Sequence, residues 1–166
     1  MPLPHQKATS MRSIVTSFCV VLCLASCGEK YHYDAEKTIT DGVWNYSDSV
    51  LFAYTITDTA SRYNLYIDIT HADTFASQNL YLRFNTIFPD GKRASSVLSF
   101  DFFNSKGENN GECSGGHCTL RSVIQENALF KQPGEYQLVI EQFMRQDSVP
   151  GVQSVGLMVE KSSKSK

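Results

Sequence analysis

The sequence predicts an all-β domain, an antiparallel β-sandwich of about seven to eight strands, and three observations carry that expectation. Beyond Trp44 the apolar residues fall into short runs rich in Val, Ile, Phe and Tyr. Clusters of Pro, Gly, Asn and Asp separate these runs at strand-length intervals. No stretch of ordinary length follows a helical period, apart from a weak one over 122–130.

The elements follow in chain order. Met11-Arg12 precedes an apolar run from Ile14 to Leu24 and then Leu24-Ala25-Ser26-Cys27. A basic start, a short apolar centre and small residues before a cut are the parts of an export signal, so 1–26 is expected to be a signal peptide. About eleven apolar residues rise only about 16 Å as a helix, too short for a hydrocarbon layer of about 30 Å. The last four residues resemble the lipobox of bacterial lipoproteins. That resemblance makes Cys27 the lipidation site, with diacylglycerol on its thiol and a further acyl chain on its freed amine. Each buried methylene contributes about 0.8 kcal/mol, so two or three chains hold a protein on a membrane where one is marginal. Residues 1–10 are polar and carry Pro2 and Pro4, and read as an extension upstream of a second start at Met11.

Residues 28–40 are polar and lack apolar periodicity, so 27–43 reads as the lipidated cysteine and a flexible tether, ahead of a sandwich domain over 44–161. Strands are expected at 50–56, 63–70, 79–88, 95–103, 118–124, 136–144 and 155–161. In the second of these, Leu65, Ile67 and Ile69 alternate with Asn64, Asp68 and Thr70, which marks a half-buried strand. Tyr136, Leu138 and Ile140 should point inward in the same way. Pro89-Asp90-Gly91, Asn104-Ser105-Lys106-Gly107, Pro133-Gly134 and Pro150-Gly151 are turns, because Pro presets φ and Gly accepts positive φ. Residues 162–166 form a frayed Ser/Lys tail.

Charge and cysteines limit the functions. With 15 basic and 17 acidic residues, net charge −2 and no block of either sign, the chain has no electrostatic footprint for nucleic acid. Of five cysteines, Cys19 and Cys23 leave with the leader and Cys27 takes lipid, which leaves Cys113 and Cys118 as an even pair in an oxidising compartment. Cys113-Ser114-Gly115-Gly116-His117-Cys118 can close as a small disulfide loop contributing about 2 kcal/mol. The alternatives are free or intermolecular thiols, or a metal held by Cys113, His117 and Cys118. Zinc ordinarily takes four ligands, and no second cluster accompanies these three.

Catalytic readings are weak. His5, His32, His71 and His117 stand beside no nucleophile motif. Asp101, between Phe100 and Phe102, could be half of a glycosidase-like carboxylate pair, although an outward strand acid is the simpler reading. Trp44 and the many strand aromatics read first as core, with some interface surface. No cofactor, metal or small-molecule substrate is expected.

The segment from Phe143 to Lys161 resembles the C-terminal signature of the GldH family of gliding-motility lipoproteins of Bacteroidota. It contains Arg145-Gln146-Asp147, then Pro150-Gly151, then Val155-Gly156-Leu157 and a closing Glu160-Lys161. Trp44, Tyr63-Asn64-Leu65-Tyr66, Asn79-Leu80-Tyr81-Leu82 and Pro133-Gly134-Glu135-Tyr136 fall in the family's order. In physical terms Val155, Leu157 and Val159 form one strand face, and Gly156 marks a bulge or a close backbone approach. Arg145 and Asp147, two apart on an extended segment, would point the same way as a surface ion pair contributing under about 1 kcal/mol. The resemblance implies a non-enzymatic accessory or assembly component of the gliding and type IX secretion envelope machinery. Its partners would be the membrane, through Cys27, and other envelope lipoproteins. Gly28 in place of an inner-membrane retention Asp favours the outer membrane. The alternative is a lipoprotein that binds carbohydrate or peptide.

Overall fold

The computed structural model describes residues 31–162, so the expected leader, Cys27 and the end of the tail lie outside the described residues. Alternation sets the strands. In chain order they are β1 (Tyr33–Thr38), β2 (Val43–Asn45), β3 (Ser49–Ile56), β4 (Tyr63–Ala72), β5 (Asn79–Ile87), β6 (Arg93–Asp101), β7 (Glu112–Ser114), β8 (His117–Ala128), β9 (Gly134–Gln142), β10 (Ser148–Pro150) and β11 (Val152–Lys161). Eight of the eleven have six or more residues, and β2, β7 and β10 have three each.

Two antiparallel sheets face each other, one in the order β1-β11-β4-β8-β7 and the other in the order β3-β9-β5-β6, with β10-β2 as a small separate pair. In β4 the side chains of Leu65, Ile67 and Ile69 are buried while Asn64, Asp68 and Thr70 are half-buried, as period-two alternation requires. β3 and β9 supply the opposing layer, with Phe52, Tyr54, Ile56, Tyr136, Leu138 and Ile140 buried in the same core as the β4 residues. Trp44 is fully buried and donates its indole N–H to the Asp48 carbonyl at 3.1 Å, the polar partner a buried indole needs.

Several expectations are corrected. Tyr33–Thr38, expected inside the flexible tether, pairs along β11 from Tyr33 opposite Val159 to Thr38 opposite Ser154, so the sandwich begins well before residue 44. The sequence hides this strand because Asp34, Glu36 and Lys37 outnumber its inward residues. Tyr33 and Ala35 nevertheless pack on the core, Tyr33 with its ring 5.7 Å from that of Tyr54.

Most of the weak helical period over 122–130 lies in β8, which ends at Ala128. Its pairing with β4 slips twice between Tyr63 and Tyr66, and each extra residue on β8 shifts the phase of the alternation. The bulge in β11 falls between Val152 and Ser154 rather than at Gly156. At Gly156 a Cβ would stand 3.4 Å from the Asp68 Cβ, so the glycine meets a close approach from the neighbouring strand. Residues 144–147 bend rather than extend. Arg145 and Asp147 are both exposed, and among the described residues no ion pair within 4.0 Å joins them.

Candidate functional site

The two sheets part along the side bounded by β6 and β8. Each of these is an outer strand over much of its length, since β7 pairs β8 only from His117 to Thr119. The bulged part of β8 lies along this gap, with Ile124, Gln125 and Ala128 lining it. A cleft of about 650 Å³ results, within the range of binding pockets.

Aromatic rings floor it. Tyr54 of β3 stacks on Tyr136 of β9 with centroids 5.9 Å apart and planes at 14°. Phe130, in the β8-β9 connection, meets the Tyr136 ring edge-on at 4.8 Å, and Phe88 meets it at 6.0 Å. Offset and edge-on pairs are the arrangements that ring quadrupoles favour. Leu98 and Ile124 form the walls, and Lys92, Arg93 and Lys131 give the rim a positive character against one acid, Asp90.

The turn at this rim is fixed by local chemistry. The Gly91 N–H donates to the Phe88 carbonyl at 2.8 Å, and the Asp90 carboxylate accepts from the Lys92 N–H at 3.1 Å and from its ammonium at 2.8 Å. Gly134 packs against that turn at a φ of +134°, and a Cβ there would come within 2.9 Å of the Pro89 ring. A side chain at position 134 would therefore push the two rim segments apart.

The ionisable groups of the cleft are settled. The Lys92 ammonium holds the Asp90 carboxyl below the usual carboxylate range. Burial, and then its tyrosine neighbours, drive the Tyr54 phenol well above the usual phenol range. Burial likewise raises Tyr136, whose hydroxyl donates to the Gln132 carbonyl at 2.8 Å. The phenols therefore stay protonated at neutral pH and serve as hydrogen-bonding, apolar surface rather than as bases.

Elsewhere the structure disperses the residues singled out in the sequence. Cys113 and Cys118 face each other across β7 and β8 and are joined by a disulfide, with the Gly115-Gly116 turn between them at positive φ. His117 is exposed, its Nδ1 3.2 Å from the Gly115 carbonyl, and among the described residues no group of three His, Cys, Asp or Glu could hold a metal. Asp101 is exposed at the end of β6, its backbone carbonyl accepting from the Asn110 amide at 2.9 Å. His32 reaches the Thr55 carbonyl at 2.7 Å.

His71 stands beside no nucleophile motif in the sequence, yet the structure gives it a distinct place. It is fully buried on β4, its ring 4.3 Å from that of Phe102, with Nδ1 2.7 Å from the Ala72 carbonyl and Nε2 without a partner. Because a carbonyl can only accept, Nδ1 carries the proton and Nε2 is an unfilled acceptor. Alternation could have located it, since position 71 continues the inward series Leu65, Ile67, Ile69.

The fold and cleft define a class: an antiparallel β-sandwich with an open cleft above an aromatic floor. The model of the GldH lipoprotein family matches residues 31–159, nearly all of the described sandwich, and the chain belongs to that family. It is 29% identical over 162 residues to the gliding motility lipoprotein GldH homolog of Christiangramia forsetii, covering 92% of this chain and 99% of that one. It is 24% identical over 135 residues to the gliding motility lipoprotein GldH of Flavobacterium johnsoniae, covering 81% of this chain and 83% of that one. Among solved structures, the VP2 subviral particle of infectious bursal disease virus aligns with 78% of this chain and 33% of its own, at a TM-score of 0.37 and 16% identity. The mitogen of Yersinia pseudotuberculosis aligns with 81% and 90%, at a TM-score of 0.31 and 8% identity. These structural likenesses are too slight to bear on function.

Proposed function

We propose that this chain is a gliding-motility lipoprotein, held to the outer membrane by acyl chains on Cys27, that acts without catalysis as an accessory or assembly component of the gliding and type IX secretion envelope machinery. Family membership over residues 31–159 is the observation that carries this reading, together with two relatives named as gliding motility lipoproteins. The cleft supports the non-enzymatic part. Its phenols are held neutral by burial, and its acid is engaged by Lys92. What it offers a partner is apolar surface from Phe88, Leu98 and Ile124 inside a cationic rim, above the nearly buried rings of Tyr54, Tyr136 and Phe130.

The aromatic floor also favours a second reading, a module that takes a sugar or a short peptide from solution. Recovery of the mature lipidated protein from crosslinked cells, followed by mass spectrometry, separates the two. Envelope lipoproteins should co-purify with the parent chain and be lost from Leu98→Glu, which places a charge on the cleft wall. Glycan binding by calorimetry with no protein partner in cells would reject the assembly role. An identical partner set from Leu98→Glu would reject the cleft as the contact.

A further inference from the structure

Strand edges are sites where sheets join, and natural sandwiches protect them with charge, proline, bulges, shortness or a covering side chain. Most of the other outer edges are protected in these ways: β1 carries Asp34, Glu36 and Lys37, β7 has three residues, the open part of β8 is bulged twice, and β3 is capped at one end, where His32 bonds the Thr55 carbonyl, while Leu51 stays exposed toward its other end.

β6 has none of these devices between its ends. It runs nine residues against β5 without a register shift, from Arg93 opposite Ile87 to Asp101 opposite Asn79. Its free edge can be read from hydrogen-bond parity. The Phe88 N–H donates to the Lys92 carbonyl and the Phe102 N–H to the Gln78 carbonyl, each at 2.9 Å, so the even-numbered residues bond toward β5. Ser95, Val97 and Ser99 therefore present their backbone N–H and C=O groups to solvent. Consistent with this, the carbonyl of Asp101 is free to accept from Asn110.

The outward set Arg93, Ser95, Val97, Ser99 and Asp101 is complementary to its own reverse. An antiparallel second copy centred on Val97 sets Arg93 opposite Asp101, Ser95 opposite Ser99, and Val97 opposite itself. The parity matches too: Ser95, Val97 and Ser99 meet their counterparts with free backbone groups, giving roughly six new hydrogen bonds around the centre, while the Asp101 carbonyl keeps its Asn110 partner. Val97 is 44% exposed and would be covered. Among the described residues neither Arg93 nor Asp101 has an ion-pair partner within 4.0 Å.

We propose that two copies of this chain pair through β6 about a twofold axis at Val97, joining their four-stranded sheets into one continuous sheet of eight. The contact is isologous, so it closes as a dimer and does not propagate. A twofold axis also holds the two Tyr31 ends at equal height along it, which lets both copies approach one membrane.

The test places a photo-crosslinking amino acid at Val97 of the full-length protein expressed in cells. The expected product is a species of twice the mature mass that contains this chain alone. Arg93→Asp and Asp101→Arg should each lower its yield, by about tenfold if the two symmetric ion pairs turn repulsive. The two changes together should restore it. Ser95→Pro should abolish the product without unfolding the monomer, because that N–H faces solvent. No crosslink, or a crosslink to a different protein, overturns the proposal, as does a double charge swap that fails to recover the dimer while both single variants remain folded by circular dichroism.

Discussion

Replacing His71 by Leu probes the core and its pH response together. The imidazole is fully buried among Phe75, Phe102 and Phe103, and its desolvation outweighs the Ala72 hydrogen bond, so its pKa falls below the ordinary 6.5. The sign follows from proton counts. Between the folded pKa and 6.5 the unfolded chain binds a proton there and the native chain does not, so stability rises with pH through that window. The contribution is complete above pH 6.5 and is lost as pH falls toward and through the folded value. One proton corresponds to a slope of at most about 1.4 kcal/mol per pH unit.

At pH 7.5, where the ring is neutral in both states, Leu removes an unpartnered acceptor, a gain of about 1–3 kcal/mol. It also loses one hydrogen bond worth about 0.5–1.5 kcal/mol. The Ala72 carbonyl keeps the Phe75 N–H at 3.0 Å, so no new orphan is left. The gain is the larger of the two, so the variant should lie between about 0.5 kcal/mol less stable and about 2.5 kcal/mol more stable than the parent. Urea unfolding at pH 7.5, 6.5, 5.5 and 5.0, on chains beginning at residue 28, should show the parent losing stability below pH 6.5 faster than His71→Leu. Parallel pH profiles would refute the reasoning.

Three further outcomes follow from the fold. Reduction of the Cys113–Cys118 bond should lower unfolding free energy by about 2 kcal/mol, read from the urea midpoint with and without reductant, because the closed loop is short. Amide exchange should alternate along β1: the Ile39 N–H donates to Gln153 at 2.8 Å, so Ala35 and Lys37 bond toward β11 and exchange slowly, while Asp34 and Glu36 exchange fast. Uniform fast exchange would mean a free tether there. Trp44→Phe should cost about 2–3 kcal/mol in the same urea assay, through loss of the bond to the Asp48 carbonyl and through the cavity left by the smaller ring.

What the sequence disclosed depended on regularity. β4 and β9 alternate strictly, so their inward residues were legible before any coordinates. β8 was only half legible, since its bulges break the period that reveals a strand, and those same bulges form one wall of the cleft. β1 was missed because an edge strand of six residues needs only Tyr33 and Ala35 inward, and its charges look like those of a linker. The cleft itself could not be seen: Leu98, Ile124 and Phe130 lie on separate segments and meet only through sheet order. His71 was read as a motif candidate and found no motif, whereas its position in the β4 alternation carried the information.

Lipid attachment at Cys27 is the proposed link between this sandwich and the envelope. Cys27→Ala, followed by palmitate labelling and membrane fractionation of the full-length chain, tests it most directly. The parent should take up palmitate and sediment with outer membranes, while the variant should lose the label and leave the membrane fraction. Equal labelling and equal sedimentation of the two would contradict it.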